Sequence, residues 1–427
     1  MSPTLSTDND AVRAEVRAFI ADAWDSDLTV AQWWELLGDS GWGAPTWPRE
    51  WFGKGLGRDA VRIVSEELRA AGSVGPPAGL GMLLAGPTIV AHGTDEQKAR
   101  YLRGIVTGQE GWCQLFSEPG AGSDLASLQT RAERDGDEWV INGQKVWTSG
   151  GQASDLGMLL ARTDLDAPKH KGISYFAFDM NQPGVEVRPL REMTGRALFS
   201  EVFFDDARVR DDALIGGLNN GWLVANTTLA NERAGLGTGG GGAGGAAFPG
   251  KKAGMLDVRV GDLAERTARS GVQPANFGGA FELLRTLADK VGQTDDPIIR
   301  QRLVELYTLT ELGRITALRI KASVAAGRAP GPEGNAAKLM MSRMCRLVRD
   351  LGPAILGPEA MIMGEATTGG GVIQEMVLFA PAPSIYGGSD EIQKNIIGER
   401  VLGLPKEPGP DKNTPFRALL VGTQSNT

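Results

Sequence analysis

The chain has 427 residues, 41% of them hydrophobic and 22% charged, and a formal net charge of −8. That length allows two or three domains, each with its own core, and the acidic balance argues against nucleic acid or an anionic membrane as the main partner. Two cysteines and two histidines leave too few parts for a disulfide framework, a thiolate metal site or a Ser/Cys–His nucleophile, so any chemistry falls to carboxylates or to a bound cofactor.

The first hundred residues read as helices. Val12, Val16, Phe19, Ile20 and Trp24 recur at helical spacing behind a cap region at Thr7 and Asp8. A connector rich in Trp, Pro and Gly spans 38–57, and further helices are predicted near Asp59–Ala71 and Thr94–Ile105. The second of these opens on Thr94-Asp-Glu-Gln97, the pattern of a capping box. His92 and His170 fall in stretches that read as surface turns. No run of eighteen apolar residues and no leader-like N-terminus appears, so no membrane span and a cytoplasmic location are expected.

From Cys113 to Arg210 the texture changes to short strands. "DEWVINGQKVWTS" alternates polar and apolar residues around Asn142-Gly143, which reads as a hairpin turn. After Gly216 the chain is helical again, interrupted by the glycine-rich stretch Gly237 to Gly254. No strand leads into that stretch, so it reads as a flexible insertion rather than a phosphate cradle. The best-marked helix begins at "TDDPIIRQRL": Asp295 or Asp296 caps it, Pro297 sits at its first position, and Ile299, Leu303, Leu306 and Ile315 make an apolar stripe. The expected fold class is therefore α+β, with a helical domain over 1–111, an antiparallel β domain over 112–215 and a helical bundle over 216–427 carrying the insertion at 237–254. This order matches neither a Rossmann nor a TIM pattern.

Three segments carry a more specific signal: "FSEPGAGSDLAS" (116–127), "INGQKVWTSGG" (141–151) and "IYGGSDEIQKNIIGERVLGLP" (385–405). Together, and in this order, they resemble the signatures of the acyl-CoA dehydrogenase family. "GWGAPTWPREWFGKGLG", "GTDEQKARYL" and "REMTGRALFSEVFFDDARV" extend the resemblance to nearly the whole chain. The resemblance implies an N-terminal helical domain, a middle β domain and a C-terminal four-helix bundle, with FAD held between the last two. It implies α,β-dehydrogenation of an acyl-CoA thioester, an electron-transfer flavoprotein as acceptor, and a homotetramer or dimer, or a heteromer with a homologous subunit. Residue by residue, Gln114, Phe116, Ser117, Gly122, Ser123, Trp147, Ser149, Ser389 and Glu391 match cofactor contacts. Ser123, Arg233 and Tyr386 match positions on the substrate side, and Arg400 a position near the active-site carboxylate or the cofactor.

One departure is chemical. Many relatives place the catalytic Glu directly after the Tyr of the last motif, where this chain has Gly387. A minority carries it on a bundle helix, in a segment resembling "LANERAGLG", which here supplies Glu232. Glu232 is thus the expected base, and Gly387 keeps a backbone N–H for the thioester oxygen. The family's RxxFG segment, which reaches the flavin of a neighbouring subunit, has no clear copy. That absence keeps open a partner subunit without chemistry of its own, beside an oxidase or monooxygenase on the same fold and a thioester-binding module that is not an enzyme. Acyl length, branching and ring content are not legible.

Overall fold

A computed structural model describes residues 9–237, 247–269, 279–326, 333–364, 366–406, 408 and 412–419. The chain opens with α1 (Asn9–Ala23), α2 (Val30–Ser40) and α3 (Arg58–Ala70), followed by α4 (Gly86–His92) and α5 (Asp95–Val106). The capping box at Thr94 forms as expected, with Gln97 N–H donating to Thr94 Oγ1 and Thr94 N–H to Gln97 Oε1. Thr29 and Gln32 make a second one at the start of α2. Val12, Val16 and Ile20 turn inward, and Trp33, Trp34, Ile63 and Leu68 are buried in the same core. The Trp/Pro/Gly connector is packed rather than loose, with Trp42, Ala44 and Trp47 buried.

The middle of the chain is one sheet of eight strands: β1 (Trp112–Leu115), β2 (Arg131–Asp135), β3 (Glu138–Ser149), β4 (Leu156–Arg162), β5 (Ile173–Asp179), β6 (Val185–Leu190), β7 (Phe199–Arg210) and β8 (Leu214–Ile215). Their order is β6-β7-β3-β2-β4-β5-β8, with β1 on β4 off this path. The sheet is not wholly antiparallel: β1 runs parallel to β4, and β2 touches β4 in parallel at Arg131–Arg162. The long excursion through the β2–β3 hairpin between β1 and β4 gives the chain the length a parallel return requires.

Asn142-Gly143 is not the hairpin turn. That turn lies at Gly136-Asp137, where Gly136 has φ +67° between the paired Asp135 and Glu138. Gly143 sits mid-strand at a register shift, and a Cβ there would lie 2.6 Å from Thr130 Oγ1 and 2.8 Å from its Cα. The glycine answers a bulge and a close backbone approach, not a reversal.

The remaining helices are α6 (Gly221–Gly237), α7 (Val260–Arg269), α8 (Ala280–Lys290), α9 (Pro297–Ala325), α10 (Glu333–Leu356), α11 (Val372–Phe379) and α12 (Asp390–Arg400). Asp296 caps α9, its Oδ1 accepting from Ile298 N–H at 2.8 Å and Ile299 N–H at 3.0 Å. Ile299, Leu303 and Leu306 are buried as expected, but Ile315 is 46% exposed on an outward face shared with Leu312 and Leu318.

Residues 238–246 of the glycine-rich stretch lie outside the described residues. Its last part is docked rather than flexible. Gly250 N–H donates to Gly108 O at 2.9 Å, and the Asp155 carboxylate accepts from the N–H groups of Gly111, Lys251 and Lys252. The chain then runs back to the first helices. Val30 N–H donates to Val258 O at 2.8 Å, and Leu256, Val260 and Leu263 join the core of α1–α3. No described helix is long and apolar enough to cross a membrane.

Candidate active site

The turn after β1 is anchored by a buried ion pair. Lys145 on β3 is fully buried and donates to Glu118 Oε1 at 2.8 Å and to Phe116 O at 3.0 Å. Glu118 also accepts from Gln129 N–H at 2.7 Å and Thr130 N–H at 2.9 Å. Burial pushes the Glu118 carboxyl up, but Lys145 and these donors outweigh it and hold it below the ordinary carboxylate range. Val146 N–H reaches Ser117 O at 2.9 Å, so Phe116 and Ser117 lie beside the strand segment that carries Trp147 and Ser149. Phe116 itself is buried, edge-on to Tyr175.

Trp147 occupies a left-handed conformation, φ +62°, at the irregularity of β3 between Lys145 and Thr148, and its side chain is 57% exposed. A bulky non-glycine residue seldom adopts that backbone, and such outliers gather where a ring must be aimed. Gly122 and Ser123 lie exposed in the turn, with open space where a Gly122 side chain would be.

Helix α6 brings Glu232 to this edge of the sheet. One turn earlier, Thr228 Oγ1 lies 2.9 Å from Thr88 Oγ1 and 3.5 Å from the Tyr175 hydroxyl, a buried chain of hydroxyls joining α4, α6 and β5. His92 is the last residue of α4 rather than a turn residue, and its Nε2 meets Thr227 Oγ1 at 2.7 Å. His170 stays exposed, edge-on to Trp222. With α6 so fixed, Gln114 Nε2 of β1 donates to Glu232 Oε2 at 3.4 Å. The Arg233 side chain lies outside the described residues.

The third motif is built on α10. Tyr386 is followed by Gly387 and Gly388, both left-handed at φ +64° and +84°. Gln393 Nε2 donates to Gly387 O at 2.8 Å, and Ser389 Oγ caps α12 by accepting from Ile392 N–H. Arg346 of α10 holds both ends of this loop, donating to Ser384 Oγ and to Asp390 Oδ2, each at 2.7 Å. Glu391 and Arg400 are exposed. Gln114, Phe116, Ser117, Trp147, Ser149 and Glu232 thus form one group on the sheet and α6. Tyr386 to Glu391 form a second on α10, and α6 packs against α10. Glu118, Lys145 and Thr228 escaped the sequence reading; the available signal for the first two was a Glu and a Lys inside the quoted motifs, in the turn after β1 and on β3.

These residues fit a flavin. An exposed indole face is offered on a fixed backbone, an unobstructed Gly/Ser turn can approach a pyrophosphate, and the Ser389-capped start of α12 favours an anion. Known proteins agree with this fit. Residues 6–109, 113–207 and 263–402 match the acyl-CoA dehydrogenase N-terminal, middle and C-terminal domains. Acyl-CoA dehydrogenase IpdE1 of Mycobacterium tuberculosis is 36% identical, over 94% of this chain and 99% of that one. Acyl-CoA dehydrogenase FadE34 of the same organism is 37% identical over 92% of this chain, which spans 49% of its length. Among solved structures, the Tcur3481-Tcur3483 steroid ACAD superposes with a TM-score of 0.71 at 27% identity, covering 95% of this chain and 99% of that one. The ChsE4-ChsE5 complex from Mycobacterium tuberculosis does so at 0.68 and 28%, covering 95% and 100%. The chain belongs to the acyl-CoA dehydrogenase family of FAD-dependent oxidoreductases.

Proposed function

We propose that Glu232 is the base of this acyl-CoA dehydrogenase. The reading rests above all on the contact between Glu232 and Gln114, beside the sheet motifs, in a chain whose other expected carboxylate position is Gly387. Bound FAD would supply the two-electron acceptor for the hydride leaving the carbon β to the thioester carbonyl. The Glu232 carboxylate takes the proton from the α carbon, and the electron pair left there closes the new double bond to the β carbon. The Gly387 N–H donates to the thioester oxygen, which makes the α proton acidic enough for a carboxylate to remove. Gln114, Phe116, Ser117, Gly122, Ser123, Trp147, Ser149, Ser389 and Glu391 would hold the cofactor, and Ser123, Arg233 and Tyr386 are the substrate-binding residues of this reading. We also propose that residues 1–111, 112–215 and 216–427 act as the family's three domains.

A branched, long or ring-bearing acyl group suits a base on α6, and a solved relative is described as a steroid ACAD. An electron-transfer flavoprotein is the proposed acceptor, and the protein is proposed to be oligomeric. A partner subunit without its own chemistry is the weaker reading, because a carboxylate is present on α6 and the full-length relatives bear the names of dehydrogenases. In anaerobic titration with acyl-CoA thioesters, the wild-type flavin should bleach, and Glu232→Gln should slow the bleaching by about 10²–10⁴-fold. Equal rates would remove Glu232 from the role. Oxygen consumption with substrate would instead mark an oxidase.

A further inference from the structure

Arg162, the last residue of β4, carries its charge into the interior, where it is 2% exposed. A buried guanidinium is unfavourable unless its donors are matched, and carbonyls match them here. Nη1 donates to Lys169 O at 2.8 Å, and Nη2 to Ala126 O at 2.6 Å and Leu128 O at 3.3 Å. Those two carbonyls belong to the short helical stretch Leu125–Ser127 and its exit, one residue beyond the exposed Gly122-Ser123 turn. Asp124, between the two, accepts from Ser127 Oγ and from Lys169 Nζ. Arg162 thus fixes the far end of a turn whose near end is fixed by Glu118 and Lys145.

The cover over Arg162 comes from the other end of the sequence. The Phe416 ring is 5% exposed and lies over the guanidinium, its centroid 3.6 Å from Cζ. An aromatic face attracts a guanidinium, most strongly when both are desolvated. The segment carrying the ring is latched to the loop between β4 and β5. Phe416 N–H donates to Ala167 O at 2.9 Å, and Arg417 N–H to Leu165 O at 3.0 Å. Pro415 bridges to Pro168, and Arg417 Nη2 meets Asp166 Oδ2 at 2.6 Å. Lys169 of the same loop gives its carbonyl to Arg162 and its ammonium to Asp124.

We propose that Phe416, acting through Arg162, is a positioning residue for the cofactor: the segment 412–419 is a clasp that holds the Gly122-Ser123 turn in the shape that receives the FAD pyrophosphate. This rests on the reading of Gly122 and Ser123 as pyrophosphate contacts. Without the ring, Arg162 meets water, which competes for its donors, and its bonds to the Ala126 and Leu128 carbonyls weaken as the local dielectric rises. A loosened turn must then be ordered as the cofactor binds, which lowers affinity.

The test uses the full chain, stripped of FAD and titrated with it. Phe416→Ala should raise the FAD dissociation constant by about 3–30-fold, and Phe416→Tyr, which keeps a ring face, should recover most of that loss. The ³¹P resonances of bound FAD should move in Phe416→Ala while the visible flavin band stays in place, a signature that a general loss of stability would not give. Amide exchange at 125–128 should quicken in the same variant. An unchanged constant, no recovery in Phe416→Tyr, or unmoved ³¹P signals overturns the clasp. Should Phe416→Ala fail to fold, Phe416→Leu, which fills the space without a ring face, decides by the same readouts. Ser123→Ala separates the clasp from the reading beneath it. If that variant leaves the ³¹P signals in place, the turn is not the pyrophosphate seat and both fall; if it moves them and Phe416→Ala does not, the clasp alone fails.

Discussion

Replacing Lys145 by Met tests whether the buried pair with Glu118 holds the turn that carries Phe116 and Ser117. Lys145 is fully buried and the Glu118 side chain is 8% exposed. Removing the ammonium leaves a carboxylate in the core with two backbone donors, those of Gln129 and Thr130. Breaking a buried pair in this way costs about 3–5 kcal/mol, and the lost bond to Phe116 O adds about 1 kcal/mol. Glu118→Gln in the same background removes the stranded charge, so the double variant should be more stable than the two single losses predict, by about 0.5–3 kcal/mol of coupling. The assay is denaturant unfolding followed through flavin release, a probe local to this sheet, because a chain with three cores need not unfold in one step. The pH dependence carries a sign. Glu118 is held low in the folded state, so the pair's stabilisation is present above the ordinary carboxylate value of about 4.3 and is lost as pH falls through the lower folded value. A Lys145→Met loss below about 1 kcal/mol, or strict additivity in the double variant, would show that the pair does not hold the turn.

Three further outcomes follow from the geometry. Gly143→Ala should destabilise by about 1–3 kcal/mol, because its Cβ would press on the Thr130 backbone at a φ of +151°; thermal melting checks it. Arg346→Ala should cost about 1.5–3 kcal/mol locally and speed hydrogen exchange across 384–393, since Ser384 and Asp390 lose their shared donor; Arg346→Lys should restore part of the protection. Glu110 has a raised folded pKa of about 7: burial, helped by Asp155 and Asp179, pushes it up against the opposing pull of Arg100 and Lys251. Its contribution is therefore full below about pH 4.3 and fades as pH rises through 7. Melting temperatures of wild type and Glu110→Gln should accordingly diverge in slope across that window.

Most of the layout was readable because its signals are local. Thr94-Gln97 and Asp296-Pro297 mark helix starts through short-range hydrogen bonds, and Ile299, Leu303 and Leu306 announce a buried face by spacing alone. Asn142-Gly143 misled because the dipeptide suits a hairpin, while the demand on Gly143 comes from Thr130, a neighbour across the fold. Gly136-Asp137, between the paired Asp135 and Glu138, took the turn. Ile315 broke its stripe because the later part of α9 faces outward. Within the site, the sheet motifs were recognisable as contiguous strings. Glu118, Lys145 and Thr228 were not singled out, since their meaning appears only when β1, β3, α4, α6 and β5 come together. The docking of 247–263 could not be read at all, because glycine-rich composition speaks of freedom and not of what the following residues grip.

That docking has a consequence for how the protein is made. The core of α1–α3 is completed by Leu256, Val260 and Leu263, which leave the ribosome roughly two hundred residues after Leu68. At synthesis rates of about 5–20 residues per second the first helices would wait on the order of 10–40 s with part of their apolar face uncovered. A fragment ending near residue 111 should therefore be sticky and poorly folded, and pauses placed before residue 263 should raise aggregation of the nascent chain more than pauses placed after it.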